Sequence, residues 1–369
     1  MKNRIMQFLK SETVLIIATI LAIVSSFIVT PSLEYIDYID FRTILLLWSL
    51  MMVVQGYKEA GLFEKMTQAF TKKMSNTRIM ALILVMSCFF LAMFITNDVA
   101  LITFVPFSLI LLKKTKKENL IIPVIVLQTI GANLGSILTP IGNPQNLYLY
   151  TKSGMSLAEF EKIVLPYGII SLVVLVVTSI LFIKKEEITE ITSEEVELDK
   201  TKILINTILF IVSLLCVVRV IDYKIAFIIV LIVELIIDRK LIQKVDYSLL
   251  LTFIAFFIFI GNMKNISSVQ ALLEEVIAKR EVMISVLLSQ IISNVPAAIL
   301  LSNFTDNIKG LIIGTNIGGL GTIIASMASL ISYKLIAKEN CVNNTKYIVN
   351  FTVFNVQFLI ILLVYSVLF

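Results

Sequence analysis

GANLGSILTPIGNPQNLYLY, residues 131–150, and GTNIGGLGTIIASMASLISY, residues 314–333, align without a gap when the chain is slid against itself by 183 positions. Gly131, Asn133, Gly135, Thr139, Ile141, Leu147 and Tyr150 recur as Gly314, Asn316, Gly318, Thr322, Ile324, Leu330 and Tyr333. A shared apolar bias explains the Ile and Leu matches, but not Gly, Asn and Thr at fixed spacing. Working outward, each copy is preceded by an Asn-centred break, ITNDVA around Asn97 and ISNVPAA around Asn294. Further upstream, IDFRTILLL (39–47) echoes VDYSLLLTF (245–253), each followed by a short amphipathic stretch. The chain therefore reads as two repeats, each a helix, an amphipathic segment, a hairpin and an interrupted helix.

The solvent for these repeats is lipid. Hydrophobic residues make up 58% of the chain and charged residues 15%, against about 45–50% and about 25% in ordinary soluble domains. Mean hydropathy is +0.95. Apolar runs recur from Thr13 to Phe369 with no polar domain between them, so an all-α integral membrane protein is expected. The net charge of +5 is spread in short clusters between apolar runs and forms no basic face for nucleic acid. There is no His, and Cys88, Cys216 and Cys341 stand far apart, which removes His relays, Ser/His/Asp triads and zinc sites. No HExxH, GxSxG or paired-carboxylate motif is present, so no enzyme and no organic cofactor is expected. The basic start (Lys2, Arg4, Lys10) before the Thr13–Thr30 run reads as a first span, since the run is long and no small-residue cleavage site closes it.

A helical span needs about 20 apolar residues, somewhat fewer where side chains snorkel. Nine spans are expected at 13–30, 41–56, 119–150, 163–183, 202–220, 225–237, 246–260, 309–333 and 347–369. Segments 77–112 and 282–303 carry polar interruptions and are expected to be re-entrant hairpins. With the N-terminus in the cytoplasm, the cytoplasmic pieces hold 22 of the 31 Lys and Arg, as the positive-inside rule asks. The first repeat then starts outside at Asp40 and the second inside at Asp246, so the repeats are inverted, an arrangement of secondary transporters. The expected layout is a first helix in 1–38, a first repeat in 39–185, an acidic linker in 186–201, connecting helices in 202–244, and a second repeat with the last helix in 245–369.

Gly, Pro and Asn interruptions at membrane depth survive only where protein or water satisfies the freed backbone groups. In the second hairpin the arm from Val282 to Ile292 amounts to about 16 Å of helix, too short to cross, so it should turn back at Ser293 and Asn294. The first arm, Ile79 to Ile95, nearly spans; Thr96, Asn97 and Asp98 form either a re-entrant tip, which the repeat favours, or an outer turn. Broken helices aim half-helix N-termini at an anion, while freed carbonyls and Asn or Thr oxygens coordinate a small cation. Asp98 is the one carboxylate at a tip, a functional candidate or a helix N-cap. Asn97 and Asn294 are ligands or turn residues, and Asn133 and Asn316 with their Gly neighbours are cation ligands or packing features. Gly142, Asn143, Pro144, Gln145 and Asn146 either continue the cation or substrate shell or end the first broken helix. Glu234, outside the repeat motifs, reads as a paired or interfacial charge.

TNDVALITFVP (96–106), GANLGSILTPIGNPQN (131–146), SNVPAAILLS (293–302) and GTNIGGLGTIIAS (314–326) resemble the ion transporter superfamily of divalent-anion/sodium symporters, citrate permeases, arsenite permeases and related sodium/proton antiporters. The resemblance covers nearly the whole chain. It implies a homodimer in which a transport domain of hairpins and broken helices slides against a scaffold, with Na+ or H+ as coupling ion. It also implies substrate contacts at Thr96, Asn97, Asp98, Pro144, Ser293 and Asn294, and cation ligation at Asn97, Asn133, Gly135, Thr139, Asn143, Asn294, Asn316, Gly318 and Thr322. The tips depart from the SNT triplet of dicarboxylate symporters and look more like the arsenite, citrate and antiporter branches. The expected function is ion-coupled transport of a small carboxylate or oxyanion across the cell membrane, with a sodium/proton antiporter as first rival and an ion channel as second.

Overall fold

A computed structural model of the chain describes residues 12–71, 73–188, 196–337, 339 and 342–369. The basic start, Cys341 and the middle of the acidic linker lie outside these. The described residues form seventeen α-helices, short 3-10 turns and no strand.

The order of elements repeats as the motifs do. A first helix α1 (Thr13–Ser26) precedes α2 (Phe41–Glu59), the amphipathic α3 (Leu62–Thr71), the hairpin α4 (Thr77–Ile95) and α5 (Asn97–Lys114), the broken pair α6 (Ile121–Gly135) and α7 (Pro144–Ser153), and the long α8 (Leu157–Phe182). After α9 (Lys200–Val217) and α10 (Tyr223–Asp238) the series recurs. It runs through α11 (Tyr247–Lys264), α12 (Ser267–Ile277), the hairpin α13 (Glu281–Ile292) and α14 (Asn294–Leu301), the broken pair α15 (Ile308–Gly318) and α16 (Met327–Ile336), and α17 (Asn344–Leu368).

Local chemistry explains the matched starts. Asp40 accepts a hydrogen bond from the Thr43 amide (3.1 Å), and Asp246 accepts one from the Leu249 amide (3.0 Å). Each satisfies an orphan N–H of the first turn. The motif echo at 39–47 and 245–253 is thus one N-cap used twice. Ser156 and Glu159 form a reciprocal capping box at the start of α8.

Six stretches are long and apolar enough to cross a membrane: Thr77–Ile95, Glu118–Leu138, Leu157–Phe182, Lys200–Val217, Tyr247–Lys264 and Asn344–Leu368. Five of the nine expected spans are among them, together with the first hairpin arm. The others fall short for separate reasons: α1 and α10 have only 14 and 16 residues, polar Arg42, Gln55, Lys58 and Glu59 dilute α2, and the 309–333 span is split between α15 and α16. Large apolar side chains on α8, α9, α10 and α17, such as Ile169, Ile208, Ile232 and Ile360, point away from the protein, as a lipid-facing belt requires. In contrast α6 is buried along its whole length from Val124 to Gly135. It packs on both arms of the first hairpin, on α8 and α17, and on α16 of the second repeat.

In lipid there is no hydrophobic drive between helices, and close backbone packing takes its place. A Cβ at Gly135 would lie 1.9 Å from the Phe89 carbonyl oxygen, so α6 meets α4 backbone to backbone. At the equivalent Gly318 a Cβ would lie 2.7 Å from Ser289 Oγ, which seats α15 against α13.

Candidate functional site

The two hairpins turn through the same backbone. Thr96 has φ 71° and ψ 153°, and Ser293 has φ 75° and ψ 155°. A positive φ costs a non-glycine residue about 1–3 kcal/mol and persists only where the surroundings impose it. For β-branched Thr96 it is an outlier. The following residues, Asn97 and Asn294, are each 4% exposed. Both tips therefore end inside the protein.

They end at one place. A cavity of about 10 Å³, the size of a single water, is lined by Asn97, Asp98, Pro144, Asn294, Ser326 and Met327, with Gln145, Val295 and Leu249 completing it. These residues are the N-terminal ends of α5, α7, α14 and α16, with the first turn of α11 beside them. Four helix N-termini, each carrying partial positive charge, converge on the cavity. Asp98 brings the one carboxylate there, and its Oδ1 is fully covered without a hydrogen-bond partner.

Behind the cavity the breaks are tied across the repeats. Asn133 Oδ1 accepts from Asn97 Nδ2 (3.1 Å) and from Ser326 Oγ (3.0 Å), while Asn133 Nδ2 donates to Ser329 Oγ (3.2 Å). Asn316 Nδ2 donates to Asn146 Oδ1 (2.6 Å), and Asn316 Oδ1 accepts from Asn143 Nδ2 (3.3 Å). Asn143 also caps α7 by accepting from the Asn146 amide (2.9 Å). Each repeat's broken helix thus completes its hydrogen bonding with side chains of the other. The Asn97 amide donates to the Gly142 carbonyl (3.1 Å), fastening the first tip to the first break.

The remaining expected residues stand further out. Thr139 donates to the Met93 carbonyl (2.5 Å), a tie between the break and the hairpin arm. Thr322 is exposed, and its amide donates to Gln290 Oε1 (2.9 Å). Gln290 Nε2 in turn donates to the carbonyls of Gly318 (2.9 Å) and Leu320 (3.0 Å), closing the second break. Gly135 and Gly318 sit at helix–helix contacts, where their missing side chains let the arms approach.

Sequence reasoning did not single out Leu249, Val295, Ser326, Met327, Ser329 or Gln290. Ser326, Ser329 and Ser332 recur at three-residue spacing along the start of α16, and this polar stripe after a break was a readable signal. Leu249 and Val295 carried none, because an apolar residue in an apolar run has no distinguishing mark.

On the other side of α7, Asp40, Tyr148, Lys152, Phe257, Lys264 and Asn303 line an open vestibule of about 620 Å³. Tyr148 forms its floor, with its hydroxyl 2.9 Å from Ser302 Oγ and its ring 5.5 Å from that of Phe257. Tyr148 lies one helical turn from Pro144, so α7 lines the small cavity at its start and the vestibule further along.

Comparison with known proteins is consistent across most of the chain. Residues 5–310 match the family described as citrate transporter. The uncharacterized transporter MJ0456 of Methanocaldococcus jannaschii is 34% identical over 310 residues, 84% of this chain and 84% of that protein. The inner membrane protein YbiR of Escherichia coli K12 is 30% identical over 307 residues, 80% of each chain. A putative transporter, arsB, of Dictyostelium discoideum is 27% identical over 149 residues, 40% of this chain and 26% of that protein.

Proposed function

The chain belongs to the citrate transporter family, and on that premise we propose that this multi-pass membrane transporter moves a small carboxylate or oxyanion coupled to Na+ or H+. The observation that carries the proposal is the convergence of four helix N-termini on one enclosed cavity with no Lys or Arg in its lining. Such a site attracts an anion through backbone dipoles and N–H groups, without the fixed charge of a basic residue that would hold the anion too tightly to release. Asn97 and Asn294 supply side-chain amides from the two tips, and Pro144 and Ser293 shape the approach.

The breaks behind the cavity are rich in oxygen. Asn133, Asn143 and Asn316 with the carbonyls around Gly135, Thr139, Gly318 and Thr322 form the candidate cation shell. A bound cation there would also lower the repulsion between Asp98 and an incoming anion. The substrate is then held between the two hairpins, and a homodimeric elevator carries them past a scaffold containing α2 and α11. The basic loops face the cytoplasm of the cell, which leaves the Tyr148 vestibule outside.

Asp98 also supports a second reading. A carboxylate with an unpartnered oxygen in the cavity suits a sodium/proton antiporter in which cation and proton compete for Asp98. One panel separates the two readings: thermal unfolding of the purified protein with citrate, succinate, arsenite, sulfate, sodium, lithium and stepped pH. A ligand at one hundred times its Kd stabilises the folded state by about 2.7 kcal/mol. A shift with one anion that requires sodium or a proton is the expected result. A shift with sodium or pH alone, and with no anion, overturns anion transport in favour of the antiporter.

A further inference from the structure

A second buried carboxyl lies away from the hairpin tips. Glu234 in α10 is wholly buried, and neither carboxyl oxygen has a hydrogen-bond partner among the described residues. The sequence reading of a paired or interfacial charge does not hold. α9 and α10 are consecutive, and Lys202 near the start of α9 binds Asp238 at the end of α10 (3.2 Å), so the two helices run antiparallel in a fixed register. One turn further from that ion pair along each helix stand Asn206 and Glu234, which the register sets opposite each other.

Asn206 has the complementary peculiarity. It is 2% exposed, its Nδ2 donates to the Lys202 carbonyl (2.9 Å), and its Oδ1 is buried without a partner. It is pressed against α2 at Gly56, where a Cβ would lie 2.1 Å from Asn206 Oδ1. Three buried acceptor oxygens, two from Glu234 and one from Asn206, thus stand without a donor among the described residues. Buried acceptors without a donor are costly, and an ionised carboxylate in that setting far more so. One proton resolves both: it neutralises the carboxyl and makes it the donor that Asn206 lacks.

We infer that Glu234 and Asn206 form a proton-binding site in the wall between α2, α9 and α10, with the proton held on Glu234 and Asn206 Oδ1 as its acceptor. The charged groups nearest it are Lys202 and Asp238. Beyond them Glu59 at the end of α2 binds Lys244 of the 239–244 segment, and Tyr57 of α2 donates to Thr207 Oγ1 (3.1 Å). The site therefore opens toward the basic end of the protein through the Lys202–Asp238 pair. Loss of the proton there sets Glu234 in competition with Asp238 for Lys202.

Infrared difference spectroscopy on the protein in liposomes tests this without reference to what the protein transports. The expected wild-type spectrum at neutral pH contains a carboxylic-acid carbonyl band that is lost in Glu234→Gln and kept in Asp98→Asn. Gln at 234 donates to Asn206 as the acid does, so that variant retains the fold. Asn206→Leu is expected to move the band without removing it, since only its acceptor is gone. The inference is overturned if Glu234→Gln removes an ionised-carboxylate band instead, or if sodium at constant pH converts the acid band to the ionised one, which would make this a metal-cation site.

Discussion

The two hairpins reach the same cavity by different means. The first has arms of 19 and 18 residues, the second arms of 12 and 8. Yet their turning residues adopt backbone angles within 4° of each other, and each is followed by a buried Asn. The tips differ at the next position, Asp98 in the first and Val295 in the second. Arm length is free to vary because the longer arm of each hairpin packs chiefly on its own broken helix. Tip geometry is not, because both tips must present an amide and a helix N-terminus to one small space. Charge is supplied from one side alone.

The sharpest test of the shared part is removal of the tip amides. Asn97→Ala and Asn294→Ala should each reduce uptake by reconstituted protein about a hundredfold or more, since each leaves buried polar partners unmet at about 1–3 kcal/mol and also deletes a ligand. Insertion and oligomeric state, checked by size exclusion, should be unchanged. Normal uptake by both variants would break the equivalence of the tips. The unshared part is next: Asp98→Asn should lower uptake less than loss of either tip amide and flatten its dependence on pH or sodium. Val295→Asn should leave that dependence in place, and equal sensitivity of both positions to the coupling ion would contradict a one-sided charge.

Packing gives a comparison in stability. Gly135→Ala drives a methyl group into the Phe89 backbone, which cannot rotate away, and should destabilise the protein by about 3 kcal/mol, the upper end for overpacking. Gly318→Ala meets the Ser289 side chain and should cost about 1–2 kcal/mol. Thermal unfolding of the two purified variants measures the order, and a reversed order would refute the closer contact in the first repeat. The smallest effect is expected at the turns. Thr96→Gly and Ser293→Gly both relieve a positive φ and should change stability by under about 1 kcal/mol in the favourable direction, with Thr96 gaining more because it is β-branched.

Much of this was legible because breaks announce themselves. Gly, Asn and Pro inside apolar runs have few uses at membrane depth, so the interruptions at 97, 135–144, 294 and 318–326 stood out, and the shared Asp cap at 40 and 246 came with them. The enclosure of the first tip was less legible, since α4 is long enough to cross and only its neighbours show that the turn is buried. Cross-repeat partners such as Asn133 with Ser326 and Ser329 lie nearly two hundred residues apart, and no local pattern encodes that pairing. The setting of Glu234 was hidden for a related reason: whether a lone Glu in a short apolar helix is paired depends on the helix opposite and on Lys202 already being taken by Asp238.

The interlocking of the two breaks also sets a timetable. When a ribosome has delivered only the first half of the chain, Asn133 has neither Ser326 nor Ser329, Asn143 and Asn146 lack Asn316, and a polar stretch stands in lipid with its debts outstanding. The first half can pack α4 on α6, but it cannot enclose the cavity until Ser326 and Met327 have been inserted. The cavity is therefore completed late, when α14 and α16 meet α5 and α7, which entered the membrane long before them.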